Sequence, residues 1–222
     1  MTMKFFTDPQ RLWGLVGLML DGAKVTLGIF FLTLLFSLPL GMLAAQGRMS
    51  RRRLVRGPVG LYIYIMRSTP LMLQVLFIYF FLPYILPFQV DRFWAVILAF
   101  AINYAAYFAE IFRGGIQSIS PGQYDAAQVL GYTGNQRFFR IILPQVVKRV
   151  LPSVTNEVMT LIKDTALASV VAVVEMLTVA KKQVSGSSSI EPYIVAIVFY
   201  LIINGVVEQA CKFVERKLDY YQ

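Results

Sequence analysis

Charged and amide side chains set inside apolar runs are where this sequence could do chemistry. Arg67 and Gln74 stand seven residues apart in one run. Asn103, Tyr107 and Glu110 fall at i, i+4 and i+7 in a second. Glu157 and Asp164 are seven apart in a third, with Lys163 between them. On helices, each spacing keeps its members on one face. A charge at the centre of a bilayer costs ~2.5–3.5 kcal/mol on insertion scales, so such groups are expected to face protein or water. Three polar stripes suit a cavity for a zwitterion. Glu157, helped by Asn103 and Gln74, would face an ammonium. Arg67, or backbone donors near Pro70 and Thr69, would face a carboxylate. Pro70 also removes a backbone donor, which frees a carbonyl near Arg67 as a ligand group. The plainer alternative has Arg67 and Glu110 snorkelling to an interface, Lys163 paired with Asp164 or Glu157, and Tyr107 serving structure.

The elements that carry these stripes are read from hydropathy. Hydrophobic residues make up 57% of the 222 positions and charged residues 15%, outside the range of an ordinary soluble domain. A bilayer-crossing helix needs ~20 mostly apolar residues. The expected spans are 25–45, 60–86, 93–112, 150–176 and 192–213, the fourth as one crossing plus a shorter broken segment. The expected fold is therefore all-α: a polytopic membrane protein with five transmembrane helices and no internal repeat. Arg11 to Leu20 is either a short helix on the outer surface, with Trp13 at the interface, or the start of the first span. No small-x-small cleavage site follows it.

Thirteen Lys and Arg flank one set of span ends and six the other. The positive-inside rule then puts the N-terminus outside and the C-terminus in the cytoplasm. The net charge of +9 is gathered at these ends, which suits an anionic membrane face and not nucleic acid. With no His and a single Cys, Cys211, the chain offers no imidazole base, disulfide or thiolate metal cluster. It lacks a GxxxxGK[ST] loop, so ATP hydrolysis would fall to another chain.

The longest cytoplasmic connection, 113–149, predicts a helix-turn-helix. Ser120 is its expected N-cap, Pro121 its first helical residue and Gly131 its C-terminal stop. Thr133 or Asn135 would start the second helix. Within it, Asp125-Ala126-Ala127, Gly131, Ile141, Leu143 and Pro144 are spaced as in the EAA loop of ABC-importer permeases, with Asp125 in place of the usual Glu. Arg67-Ser-Thr-Pro-Leu71 with Gln74, the run Ala106 to Ile119, and Asn156 to Leu167 resemble stretches of the polar amino-acid branch, the histidine/glutamate/glutamine/arginine/opine permeases. The resemblance implies a single permease domain over 1–222 in a bacterial-type inner membrane. It also implies pairing with itself or a related chain, two ATPase subunits docked on the 120–145 loop, and an extracytoplasmic amino-acid-binding protein. No cofactor or metal would bind this chain, and ATP and Mg would be held by the partner subunits.

Overall fold

The computed structural model describes residues 5–85 and 90–218, and every regular element among them is helical. The first, α1 (Pro9–Arg48), is capped by Asp8, whose carboxylate accepts from the amides of Gln10 and Arg11. Proline at the first helical position leaves no amide orphaned there. At ~1.5 Å per residue, α1 is about 60 Å long, twice the ~30 Å hydrocarbon core. The segment Arg11–Leu20 is thus the beginning of one continuous helix and not a separate surface helix. Leu15 and Met19 bury it against Val179, Ala180, Val195 and Ala196.

The second expected span is not one helix. It consists of α2 (Arg53–Ser68) and α3 (Leu71–Ile85), which meet at 109°. Residue 86, where this span was expected to end, lies outside the described residues. Next, α4 (Arg92–Gln117) is largely buried and forms the axis on which α1, α2, α3 and α7 pack. It carries five residues, 113–117, that the sequence had suggested for the loop.

A short pair, α5 (Pro121–Val129) and α6 (Gly134–Arg137), leads through a π turn (Phe138–Ile142) into α7 (Leu143–Asp164). The fourth span therefore starts inside the stretch assigned to the loop. Its α-helix stops at Asp164, and a 3₁₀ segment (Thr165–Val171) follows. At Gly115, α7 crosses α4 so closely that a Cβ would meet Val150 Cγ1 at 2.1 Å. Two helices complete the chain, α8 (Met176–Ser187) and α9 (Glu191–Leu218). By length and apolar composition, α1, α4 and α9 can each cross a membrane, and a fourth crossing is added if α2 and α3 are one bent span. The charges on α7 keep it out of that set.

Candidate functional site

The break between α2 and α3 begins with Pro70. The residue before a proline is pushed out of the helical region, and Thr69 is extended at φ −119°, ψ 146°. Without an amide at 70, the Met66 carbonyl loses its partner one turn on. Two side-chain amides replace it. Gln74 Nε2 donates to Met66 O at 3.0 Å, and Asn103 Nδ2 donates to the same oxygen at 3.0 Å. Asn103 Nδ2 also donates to Gln74 Oε1 at 2.9 Å, joining α3 to α4. The Thr69 hydroxyl donates to Ile65 O at 2.8 Å and accepts from Gln74 Nε2 at 2.8 Å. Asn103 sits about 16 Å along α4 from Arg92 at ~1.5 Å per residue.

This geometry corrects three expectations. Arg67 and Gln74 do not share a helix face, because the helix ends between them. The carbonyl freed by Pro70 is occupied. Gln74 and Asn103, expected to help hold an ammonium, spend their amides on the break and are 9% and 4% exposed.

The remaining polar residues divide into committed and uncommitted groups. Asp164 accepts from Tyr104 OH at 2.7 Å, a buried hydroxyl that the sequence reading passed over although it neighbours Asn103. Glu110 is held at both oxygens by Arg113, from Nε at 3.2 Å and from Nη2 at 2.5 Å. Lys163 pairs with neither Glu157 nor Asp164 among the described residues, and its side chain is exposed. Arg67 is exposed, with its guanidinium carbon 5.4 Å from the centroid of the Tyr107 ring. Glu157 is half-buried and makes no hydrogen bond or ion pair among the described residues. Its charged neighbours are Asp164 and Arg67.

Two buried carboxylates were not among the expected site residues. Glu175 caps α8, accepting from the amides of Leu177 and Thr178 and from Tyr200 OH. Glu191, at the start of α9, accepts from the amides of Phe5 at 2.8 Å and Phe6 at 3.0 Å and from Ser189 Oγ. Ser189 two residues ahead of Glu191 marks a helix start, but nothing in the sequence pairs Glu191 with the N-terminus.

Beyond α4, the turns of the loop are closed by local bonds. Ser120 precedes α5 without a side-chain cap bond, and Pro121 opens the helix. At its end, Tyr132 N donates to Ala127 O and Gly131 N to Gln128 O, a full Schellman closure with Gly131 at φ +77°. Thr133 and Gln136 form a reciprocal capping box that starts α6. The second helix of the expected pair does not end there, because the π turn joins it to α7. In that turn Leu143 N donates to Phe138 O, and Pro144 then contributes no donor, so the wider turn leaves no amide stranded.

Of the motif residues, Asp125, Ala126 and Pro144 are exposed, Ile141 and Leu143 are half-buried, and Ala127 is buried. Between them Val129 and Leu130 are 87% and 74% exposed, an apolar pair offered outward at the glycine-closed end of α5.

Comparison with known proteins agrees with this architecture. The chain is 34% identical over 200 residues to the arginine transport system permease protein ArtQ of Bacillus subtilis, covering 90% of this chain and 91% of that one. It is 34% identical over 213 residues to the glutamine transport system permease protein GlnP of Escherichia coli K12, at 95% and 97% coverage. A solved structure of an amino acid ABC transporter with histidines superposes at TM-score 0.87 with 31% identity, over 98% of this chain and 100% of that one. Residues 37–220 match the family described as binding-protein-dependent transport system inner membrane component. That match takes in the helix break, the loop and α7, so the chain belongs to this family of multi-pass inner-membrane transport permeases.

Proposed function

We propose that the chain is the permease subunit of an ATP-driven importer of amino acids. In this reading it crosses the membrane five times, with the N-terminus outside, the C-terminus inside and α7 as the fourth crossing. It pairs with a second copy or a related permease, receives substrate from an extracytoplasmic binding protein and docks two ATP-binding-cassette subunits. ATP and Mg are bound by those subunits, and this chain supplies no catalytic group. The relatives named for arginine and glutamine transport support an amino acid as cargo.

The observation that carries the reading is the capped loop. An outward apolar pair beside the Schellman-closed end of α5, with α6 capped just beyond it, suits insertion into a groove on a partner, because the loop presents a fixed shape there and loses little order on docking. Asp125, Ala126, Ala127, Gly131, Ile141, Leu143 and Pro144 would convert closure of the ATPase into movement of α7 through the π turn. In the membrane, Glu157 and Arg67 are opposite charges without an ion-pair partner, which fits the ammonium and carboxylate of a zwitterion. Buried charges of either sign are costly unless paired, so substrate and site would neutralise each other. Tyr107 backs Arg67, while Gln74, Asn103 and Thr69 hold the break that aims it. Glu110 and Asp164 are structural, and Lys163 faces a partner or the interface.

The test is purification followed by reconstitution. The tagged chain, expressed with the neighbouring transport proteins of its source, should bring down an ATP-binding-cassette subunit. In vesicles with the binding protein, it should take up L-arginine or L-glutamine only when ATP is present. A chain that purifies without an ATPase and moves amino acids without ATP would sink the reading.

A further inference from the structure

Between α1, α2 and α4 lies an open cavity of about 360 Å³ that continues from Arg67. Arg48, Gly60, Tyr64, Arg67, Ser68 and Glu110 line it. Glu110 lies about 27 Å along α4 from Arg92 at ~1.5 Å per residue, which puts the cavity at the inner edge of the hydrocarbon core.

The charges there do not balance. The Glu110 carboxylate is already held by Arg113. Among the described residues, Arg48 and Arg67 form no ion pair and no hydrogen bond, and Arg67 rests only against the Tyr107 ring. The guanidinium of Arg48 reaches the cavity across Gly60, where an added Cβ would stand 3.1 Å from Nη1. The absent side chain at 60 is what leaves room for it. Three guanidinium groups, Arg48, Arg67 and Arg113, thus surround the single carboxylate of Glu110, and the two that it does not bond are matched by an added oxyanion, which their planar geometry favours holding in bidentate fashion. Tyr64 and Ser68 add hydroxyls to the wall.

We propose that this cavity is a second carboxylate-binding station at the inner mouth of the pathway, where Arg48 joins Arg67 in holding the carboxylate of the transported amino acid once its ammonium has left Glu157. This rests on the importer reading. Arg67 is a charged neighbour of both Glu157 and Glu110, so the cavity continues the substrate route rather than lying apart from it. A lipid phosphate is the other oxyanion available at this depth, and the experiment separates the two.

The full transporter is reconstituted in vesicles of phosphatidylcholine alone and of phosphatidylcholine with phosphatidylglycerol. Uptake of L-arginine and L-glutamine is measured against binding-protein concentration. Arg48→Gln should lower the maximal rate at least about fivefold in both membranes, with the half-saturating binding-protein concentration changed by less than about twofold. Arg48→Lys should recover part of the loss. Gly60→Leu, which displaces the guanidinium but keeps its charge, should reproduce the loss if Arg48→Gln fails to assemble. Wild-type rates in Arg48→Gln or Gly60→Leu would overturn the station. A loss confined to phosphatidylglycerol membranes would assign the site to lipid and overturn it equally. If the wild-type transporter takes up neither amino acid, the importer reading falls first and the station with it.

Discussion

At Gly131 and at Pro70 the backbone changes direction sharply, yet the two turns are held in opposite ways. Around Gly131 every capping bond joins residues within five positions: Tyr132 to Ala127, Gly131 to Gln128, and Thr133 with Gln136. Around Pro70 the orphaned Met66 carbonyl is met partly from Gln74, eight residues on, and partly from Asn103 on another helix. The capping bonds at Gly131 need no other helix, whereas the inner turn at Pro70 keeps its shape only while α3 and α4 stay in register.

The sharpest challenge to this contrast is Gly131→Asp. A non-glycine side chain at positive φ costs roughly 1–3 kcal/mol, and the new charge sits beside the apolar pair. The chain should still insert, while stimulation of the ATPase by loaded binding protein in vesicles falls about tenfold or more, within the usual span of coupling energies. Gly131→Asn, which tolerates this conformation, should lose much less. Undiminished stimulation in the Asp variant would take the loop out of the coupling route.

The next effect concerns the membrane region. Glu157→Gln keeps size and hydrogen bonding but removes the charge, so uptake should fall roughly tenfold, or ~1.4 kcal/mol, with ATPase assembly intact. Uptake at the wild-type rate from a well-assembled complex would remove Glu157 from the substrate route.

A smaller change tests the inner turn itself. Asn103→Leu should lower the thermal midpoint of the purified complex by an amount equivalent to about 0.6–1.7 kcal/mol, the range for hydrogen bonds between membrane helices. Gln74→Leu should do the same. The double variant should cost less than the sum, because both amides serve one carbonyl. Strict additivity would mean that the two amides act independently.

Thr133→Ala should have the mildest outcome. Losing the cap costs about 0.5–2 kcal/mol of local helix stability. It should appear as faster amide exchange over α6, with insertion unchanged. Equal exchange in both proteins would show that the π turn and α7 alone hold α6 in place.

The same contrast explains what could be read from the sequence. The loop was legible because proline, glycine and the capping pair act on neighbours, and Pro121, Gly131 and Thr133 occupy the roles their types predict. The helical class followed from hydropathy. The break at Pro70 was visible as a missing donor, but its closure was not, because no local rule pairs Gln74 with Asn103. Treating Arg67 to Gln74 as one helix therefore put Gln74 on the wrong face. The buried Tyr104–Asp164 bond was missed for the same reason, since its members are sixty residues apart. The π turn escaped notice because Pro144 was read for its place in a motif and not for the turn it forces behind it.

The clasp between Glu191 and the amides of Phe5 and Phe6 has a consequence for how the protein is made. The first turns of α1 leave the ribosome well before the residues that bury them, at 179–196, and the carboxylate that holds the Phe5 amide is synthesised 186 residues after it. At ~5–20 residues per second, about 10–40 s pass before Leu15, Met19 and Phe5 can find their native neighbours. During that interval the insertion machinery or lipid must shelter them. The segment at Phe5 and Phe6 is therefore fastened only once α9 has begun to form.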